Sequence, residues 1–221
     1  AKYTAILDGD DFWVDPLKLQ RQLDYLESHP DCTLCIGAAN LVDVKDRVIG
    51  RVAPYAESRI VDPADMIRGG GGFTATNTIL MPTQLLKDLP KFADYIEAED
   101  IPFQLLGALK GYAWYDAETL IAYRLTVPGS WSTRQYASSM ETRIKTSRDI
   151  IALNEGYDEF SGGKYHDAFV EAIHYQEFLI LCYRHKLREA MRPPYRMFYD
   201  RLSTNRKIRL RCEKYFPRLT A

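Results

Sequence analysis

Three carboxylates fall within four residues near the start of the chain, Asp8, Asp10 and Asp11, with Gly9 between the first two. Such a cluster repels itself unless a cation or water relieves it. Alternate residues of an extended strand share a face, so Asp8 and Asp10 can converge on one ion. Hard oxygen donors of this kind suit Mg²⁺ or Mn²⁺ held jointly with phosphates. The same spacing also fits a solvated turn with an aspartate cap. A second acidic pair, Glu99–Asp100, stands directly before a helical pattern, where compensation of the helix dipole is reason enough for it. Gly69 to Gly72 are four consecutive glycines, followed by Thr76, Asn77 and Thr78. They read either as a mobile surface loop or as a place where backbone N–H groups approach a phosphate or sugar closely. The last group is Arg124, Ser130, Trp131 and Ser132. Arg124 can pair with diphosphate oxygens and Trp131 can stack on a sugar face, yet both types serve equally well in packing and ion pairs.

The elements that must position these residues are legible from pattern. KYTAIL is a short β-like run leading into the first aspartates. Asp15-Pro16 predicts a helix to about Ser28, with Asp15 as N-cap, Pro16 at the first helical position, and Val14 and Leu19 as a hydrophobic staple. Thr33 to Val42 reads as a buried strand and Val48 to Ala53 as its hairpin partner across Asp46-Arg47. Asp62-Pro63 caps a short helix ending at Gly69. Thr78 to Met81 is a strand, Thr83 to Leu89 a short helix, and Ile101 to Lys110 a helix closed by Gly111. Tyr112 to Tyr115 and Leu120 to Arg124 read as two strands, followed by a Pro128-Gly129 turn. After Ser130 strand signals stop, and helices are predicted over roughly 137–154, 164–190 and 194–214. Phe178 to Tyr183 is apolar on every side, which requires burial, an oligomer interface or lipid.

Composition is that of an ordinary folded domain: 221 residues, 46% hydrophobic and 27% charged. No run of eighteen apolar residues exists, so no membrane-spanning helix is expected. The start AKYTAILDGDD resembles neither a signal nor a transit peptide. The expected location is the cytoplasm, peripheral at most to the inner membrane face. Cys32 and Cys35 have C-x-x-C spacing, but no second pair completes a zinc site and both border an apolar run. They read as core residues. The histidines have no metal spacing. The net charge of -1 conceals an asymmetry, because residues 184–221 hold twelve Lys/Arg against three Asp/Glu. That basic stretch, interleaved with Tyr195, Phe198, Tyr199, Tyr215 and Phe216, is either a surface for an anionic membrane or a solvated face balancing the acidic front half. Nucleic acid is disfavoured as a partner, since the front half would repel phosphates.

The stretch LDGDDFWVDPLKLQRQLDYLESHPD closely resembles the segment around the metal-binding D-x-D motif of family 2 glycosyltransferases. In it Asp8 to Asp11 are followed by the pair Phe12-Trp13 and by Asp15-Pro16 with Lys18, Leu19 and Gln22. The similarity continues in order through GGGGFTATNTILMPTQLL, EAEDIPFQLLGALKGYAWYD and IAYRLTVPGSWS, covering roughly residues 3–133. This resemblance implies an α/β fold, a partial GT-A (Rossmann-like) mixed sheet over residues 1–133, and a C-terminal helical extension over 134–221. It implies that Asp8, Asp10 and Asp11 bind Mg²⁺ or Mn²⁺, that Asp100 is the catalytic base with Glu99 supporting it, and that Gly71, Gly72, Thr76, Asn77, Arg124 and Trp131 meet donor and acceptor. The implied reaction is inverting transfer of a sugar from a nucleotide-diphosphate sugar to a hydroxyl of a glycan or lipid-linked acceptor, in cell-envelope or exopolysaccharide synthesis.

Two other readings compete: another metal-dependent nucleotidyl or phosphoryl transferase using the same carboxylates, and a non-catalytic remnant acting as a binding module. In the family, strand–helix units that hold the nucleotide precede the D-x-D segment, whereas only seven residues stand before Asp8. Two such units need on the order of sixty residues. The expectation is therefore a chain lacking that half, with a bare sheet edge at residues 3–7 covered by the C-terminal helices or by a second copy in a homo-oligomer.

Overall fold

The computed structural model describes residues 1–93, 100–130, 133–134 and 137–215. Glu99 and Trp131 lie outside the described residues. The chain is a mixed α/β protein. Its strands are β1 (Tyr3–Ala5), β2 (Phe12–Trp13), β3 (Cys32–Val42), β4 (Val48–Val52), β5 (Arg59–Ile60), β6 (Leu80–Pro82) and β7 (Tyr112–Arg124). They form one sheet in the order β1-β6-β3-β7-β2, with β4 added to β3 and β5 to β7. Among the described residues only β3 and β7 run parallel; the other pairs are antiparallel.

The centre of the sheet is β3. Its near-continuous apolar sequence is what a strand covered on both faces needs. Leu34, Ile36 and Ala38 point to the main core, while Cys35 turns to a smaller cluster with Cys32, Leu26 and Leu80. Both cysteines are buried and free, in agreement with their reading as core residues. The predicted pair of strands over 112–124 is one strand, bent where its register with β3 shifts beside Gly37. A Cβ on Gly37 would lie 2.3 Å from the Leu120 side chain.

The helices of the front half are α1 (Lys18–Ser28), α2 (Pro63–Gly69), α3 (Thr83–Lys87) and α4 (Asp100–Lys110). Asp62 caps α2 as expected, its carboxylate accepting from the Ala64 amide at 2.9 Å. The prediction for α1 needs correction. Asp15 accepts from the Leu17 amide at 2.8 Å and so caps a turn, and the helix starts only at Lys18. Val14 and Leu19 are both exposed, so no staple forms. Gly111 ends α4 for another reason than a left-handed cap: a Cβ there would lie 2.3 Å from the Asp31 carbonyl oxygen.

The described helices that follow are α5 (Met140–Phe160), α6 (His166–Tyr183), α7 (Leu187–Ala190), α8 (Arg196–Arg201) and α9 (Thr204–Tyr215). The first predicted helix thus runs on to Phe160, the second stops at Tyr183, and the third is two helices. Leu153 and Tyr157 of α5 and Ala168, Phe169 and Ala172 of α6 join the main core with α2 and α4. The all-apolar stretch Phe178–Tyr183 is accounted for within the chain, because Phe178 and Cys182 pack with Leu187, Ala190, Phe198, Tyr199 and Leu210 in a second cluster. Each large side chain so buried contributes about 1.5–3 kcal/mol. Among the described residues, no helix is long and apolar enough to cross a membrane.

Candidate functional site

The acidic loop 6–11 lies between β1, which pairs with β6, and β2, which pairs with the end of β7. That topology places it opposite two pieces of chain: the turn of 3₁₀ helix Thr76–Thr78 that feeds β6, and Arg124 at the end of β7. The loop closes on itself through the Asp11 amide, which donates to the Asp8 carbonyl at 3.2 Å.

Asp11 is the anchor. Its Oδ1 accepts from the Arg124 amide at 2.7 Å and its Oδ2 accepts from the Asn77 side chain. Burial pushes the Asp11 carboxyl up to about 6; the charges of Asp10 and Asp8 act in the same direction, against the two hydrogen bonds. Asp8 is exposed and Asp10 half-buried. Asn77, fully buried, also donates to Asp8 Oδ2 at 3.3 Å and accepts from the Asp8 amide at 2.7 Å. Arg124 grips the same loop from the other side. Its Nε donates to the Asp10 carbonyl at 2.8 Å, its guanidinium lies 5.5 Å from the Phe12 ring centre, and it forms an ion pair with Asp46 in the β3–β4 turn.

Thr76, next to Asn77, serves the second constellation. Its hydroxyl donates to Asp100 Oδ2 at 3.1 Å, and the Gln104 amide, one turn along α4, donates to the same oxygen at 3.2 Å. Desolvation raises the Asp100 pKa above the ordinary carboxylate range, the Thr76 hydroxyl opposes it, and the charge of Asp8 adds to the rise. Two adjacent residues, Thr76 and Asn77, link the acidic groups that sequence separates by some ninety positions.

The consecutive glycines form a turn of 3₁₀ helix, Gly70–Gly72, directly after α2. Gly70 has φ of 52°, which a side chain would strain. This turn borders Ile101, the residue after Asp100: a Cβ on Gly71 would sit 3.2 Å from the Ile101 Cδ1.

The roles of three residues escaped sequence reading. Gln104 was signalled only by its i+4 spacing from Asp100. Asp46 looked like a turn residue. Lys18 is fully buried, with its Nζ 2.9 Å from Gln22 Oε1 and 4.8 Å from the Trp13 ring centre, and burial lowers its pKa to about 8. Gln22 in turn donates to the Thr78 carbonyl at 2.8 Å, tying α1 to the Thr76–Thr78 turn.

Among the described residues, no three His, Cys, Asp or Glu side chains stand close enough to cage a metal unaided. With both Asp11 oxygens engaged, Asp8 and Asp10 are the carboxylates that could face a cation. Two protein carboxylates with the remaining ligands from phosphate and water is an arrangement Mg²⁺ accepts.

No protein-family profile matches the chain. It is 28% identical over 134 residues to an uncharacterized protein of Mycobacterium bovis, and to the same extent to an uncharacterized protein of Mycobacterium tuberculosis. The match takes in 59% of this chain and 36% of each relative, so the chain spans about a third of the length of the curated relatives it matches.

Proposed function

We propose that this chain carries the metal- and acceptor-handling part of an inverting, nucleotide-sugar-dependent glycosyltransferase of the GT-A, family 2 type. The observation that carries the reading is the convergence of Asp100 and the Asp8–Asp11 loop on the adjacent residues Thr76 and Asn77. The mixed sheet, with the acidic loop at the end of β1, is consistent with a partial GT-A architecture.

In this reading Asp10 and Asp8 would hold Mg²⁺ or Mn²⁺, and Asp11 fixes the loop through Asn77 and the Arg124 amide. The bound ion would neutralise charge building on the departing diphosphate. The acceptor oxygen bonds to the anomeric carbon as the bond from that carbon to the diphosphate oxygen breaks. The hydroxyl proton passes to Asp100, and the bonding pair leaves with the nucleoside diphosphate. A sugar hydroxyl needs such a base, and desolvation gives Asp100 the greater basicity the task favours. Glu99 as its supporting carboxylate, and Gly71, Gly72 and Trp131 near donor or acceptor, complete the assignment. The guanidinium of Arg124 already grips the loop, which suits a residue that shapes the diphosphate site.

In the full-length protein, Asp100→Asn should lower turnover of a nucleotide sugar by a factor of about 10² to 10⁴ while leaving Mn²⁺–nucleoside diphosphate binding intact. Because burial raises the Asp100 pKa, the acid limb of the pH–rate profile should lie above the usual aspartate range, with activity rising as pH climbs through it. Near-normal turnover in the variant removes Asp100 from the mechanism, and release of pyrophosphate in place of nucleoside diphosphate points to a nucleotidyl transferase. The C-terminal helices and the turn between α7 and α8 carry exposed Arg188, Arg192 and Arg196 and exposed Met191 and Met197. These residues support docking on an anionic membrane, which vesicle co-sedimentation checks: binding should require anionic lipid and fall with salt.

A further inference from the structure

A cavity of about 250 Å³ lies where the glycine turn meets the C-terminal helices. Its walls include Gly71, Gly72, Ile101, Leu105, Ile150 and Ala172, drawn from the turn and from α4, α5 and α6. Nothing lies within 4 Å of where a Gly72 Cβ would be, and both Gly71 and Gly72 are exposed, so the glycines keep this side open to solvent.

Three features define what the cavity would take. Its side-chain lining is mostly aliphatic, with Tyr175 and Gln176 beside it; a wholly apolar void of about 150 Å³ takes up benzene, and this cavity has the volume for a larger apolar group. Arg68, the charged residue of the lining, has its charge balanced by Glu171 at 2.9 Å and by Asp65 at 3.9 Å. Asn154, also in the lining and buried, gives one amide N–H to the Ile150 carbonyl at 2.8 Å. An asparagine amide has a second N–H and a carbonyl oxygen with which to orient a polar group. The cavity wall also runs into the candidate base, because Ile101 follows Asp100 directly at the start of α4.

We propose that this cavity seats the apolar aglycone of an amphiphilic acceptor, a lipid-like or aryl group whose hydroxyl-bearing head extends towards Asp100; the assignment rests on the transfer reaction proposed above. The glycine turn is then the threshold over which the acceptor enters, and α5 and α6 choose it by the shape of their apolar face.

The test is a titration of the chain, carrying ¹³C-labelled isoleucine methyls, with n-octyl β-D-glucopyranoside below its micelle-forming concentration. The Ile67, Ile101 and Ile150 methyl signals should shift saturably, and glucose at the same concentration should leave them unmoved. Ala172→Phe, which fills the cavity, should weaken binding at least tenfold. If that variant does not fold, Ile150→Phe at a half-buried position blocks the same space. Shifts that never saturate, or undiminished binding in a folded blocking variant, would overturn the proposal. Octyl glucoside binding is read from the cavity methyls, and the catalytic role of Asp100 is read separately from turnover. A failure of the catalytic reading would thus show in turnover alone, whereas absent octyl glucoside binding alongside Asp100-dependent transfer would sink only the cavity assignment.

Discussion

Asn77 and Asp8 are joined twice: the Asn77 amide donates to Asp8 Oδ2 at 3.3 Å, and the Asp8 backbone amide donates back to Asn77 Oδ1 at 2.7 Å. The same side chain also binds Asp11, so one buried amide sets the shape of the acidic loop. Asn77→Ala strands buried groups on the loop and should cost about 2–3 kcal/mol, read from urea unfolding. Mn²⁺–nucleoside diphosphate binding should fall with it. A variant of normal stability with normal binding would show that the loop holds its form without Asn77.

Arg124 and Asp46 form an ion pair whose two ends should prove very unequal. Asp46 is 60% exposed, and Asp46→Asn should change stability by less than about 1 kcal/mol. Arg124→Lys loses the Nε donor to the Asp10 carbonyl and the planar group over Phe12. It should weaken Mn²⁺–nucleoside diphosphate binding several-fold more than Asp46→Asn does. Equal effects in calorimetric titration would mean the ion pair, not the grip on the loop, is what matters.

Lys18 is a buried cation that no carboxylate pairs with among the described residues, and its pKa falls from 10.5 to about 8 through desolvation. Below about pH 8 both folded and unfolded states hold the proton, and the folded state bears the full penalty. Between 8 and 10.5 the folded state releases the proton first, so stability rises with pH, and above 10.5 the penalty is gone. Lys18→Met should therefore stabilise the protein at pH 7 by up to roughly 3 kcal/mol, taking about 1.36 kcal/mol per pKa unit. The advantage should shrink as pH approaches 10.5. Denaturant curves for both proteins at several pH values check the slope, and a pH-independent difference would contradict it.

Gly107 lets α4 lie against the sheet, since a Cβ there would be 2.9 Å from the Leu34 Cβ. Gly107→Ala should cost about 1–3 kcal/mol by overpacking, despite the better helix propensity of alanine. Gly72→Ala, with open space around it, should be close to neutral. Thermal melts of the two variants should separate them clearly.

Much of this arrangement could be read beforehand, for identifiable reasons. Asp62-Pro63 and the apolar run of β3 announce themselves because capping and burial on both faces depend on neighbouring residues alone. Asp15-Pro16 misled because the same local chemistry closes a turn as readily as it opens a helix. The tie between Asp11, Asn77 and Arg124 was hidden, since no local pattern reports which distant residues a sheet register will juxtapose. Lys18 was hidden for a related reason: a lysine in an amphipathic helix reads as solvated until its neighbours Trp13 and Gln22 are seen to enclose it.

Helix α6 belongs to two cores at once. Its first half sends Ala168, Phe169 and Ala172 into the main core, and its second half sends Phe178 and Cys182 into the small C-terminal cluster. Eighteen residues make a rod of roughly 27 Å, long enough for its ends to belong to separate cooperative units. Amide hydrogens near Phe169 should exchange only when the sheet opens, while those near Cys182 should exchange when the small cluster opens by itself. Ala172 sits where the two regimes meet, on the wall of the cavity. A load on the Cys182 end would then reach that wall as a tilt of the rod, with the helix acting as a lever between surface and site.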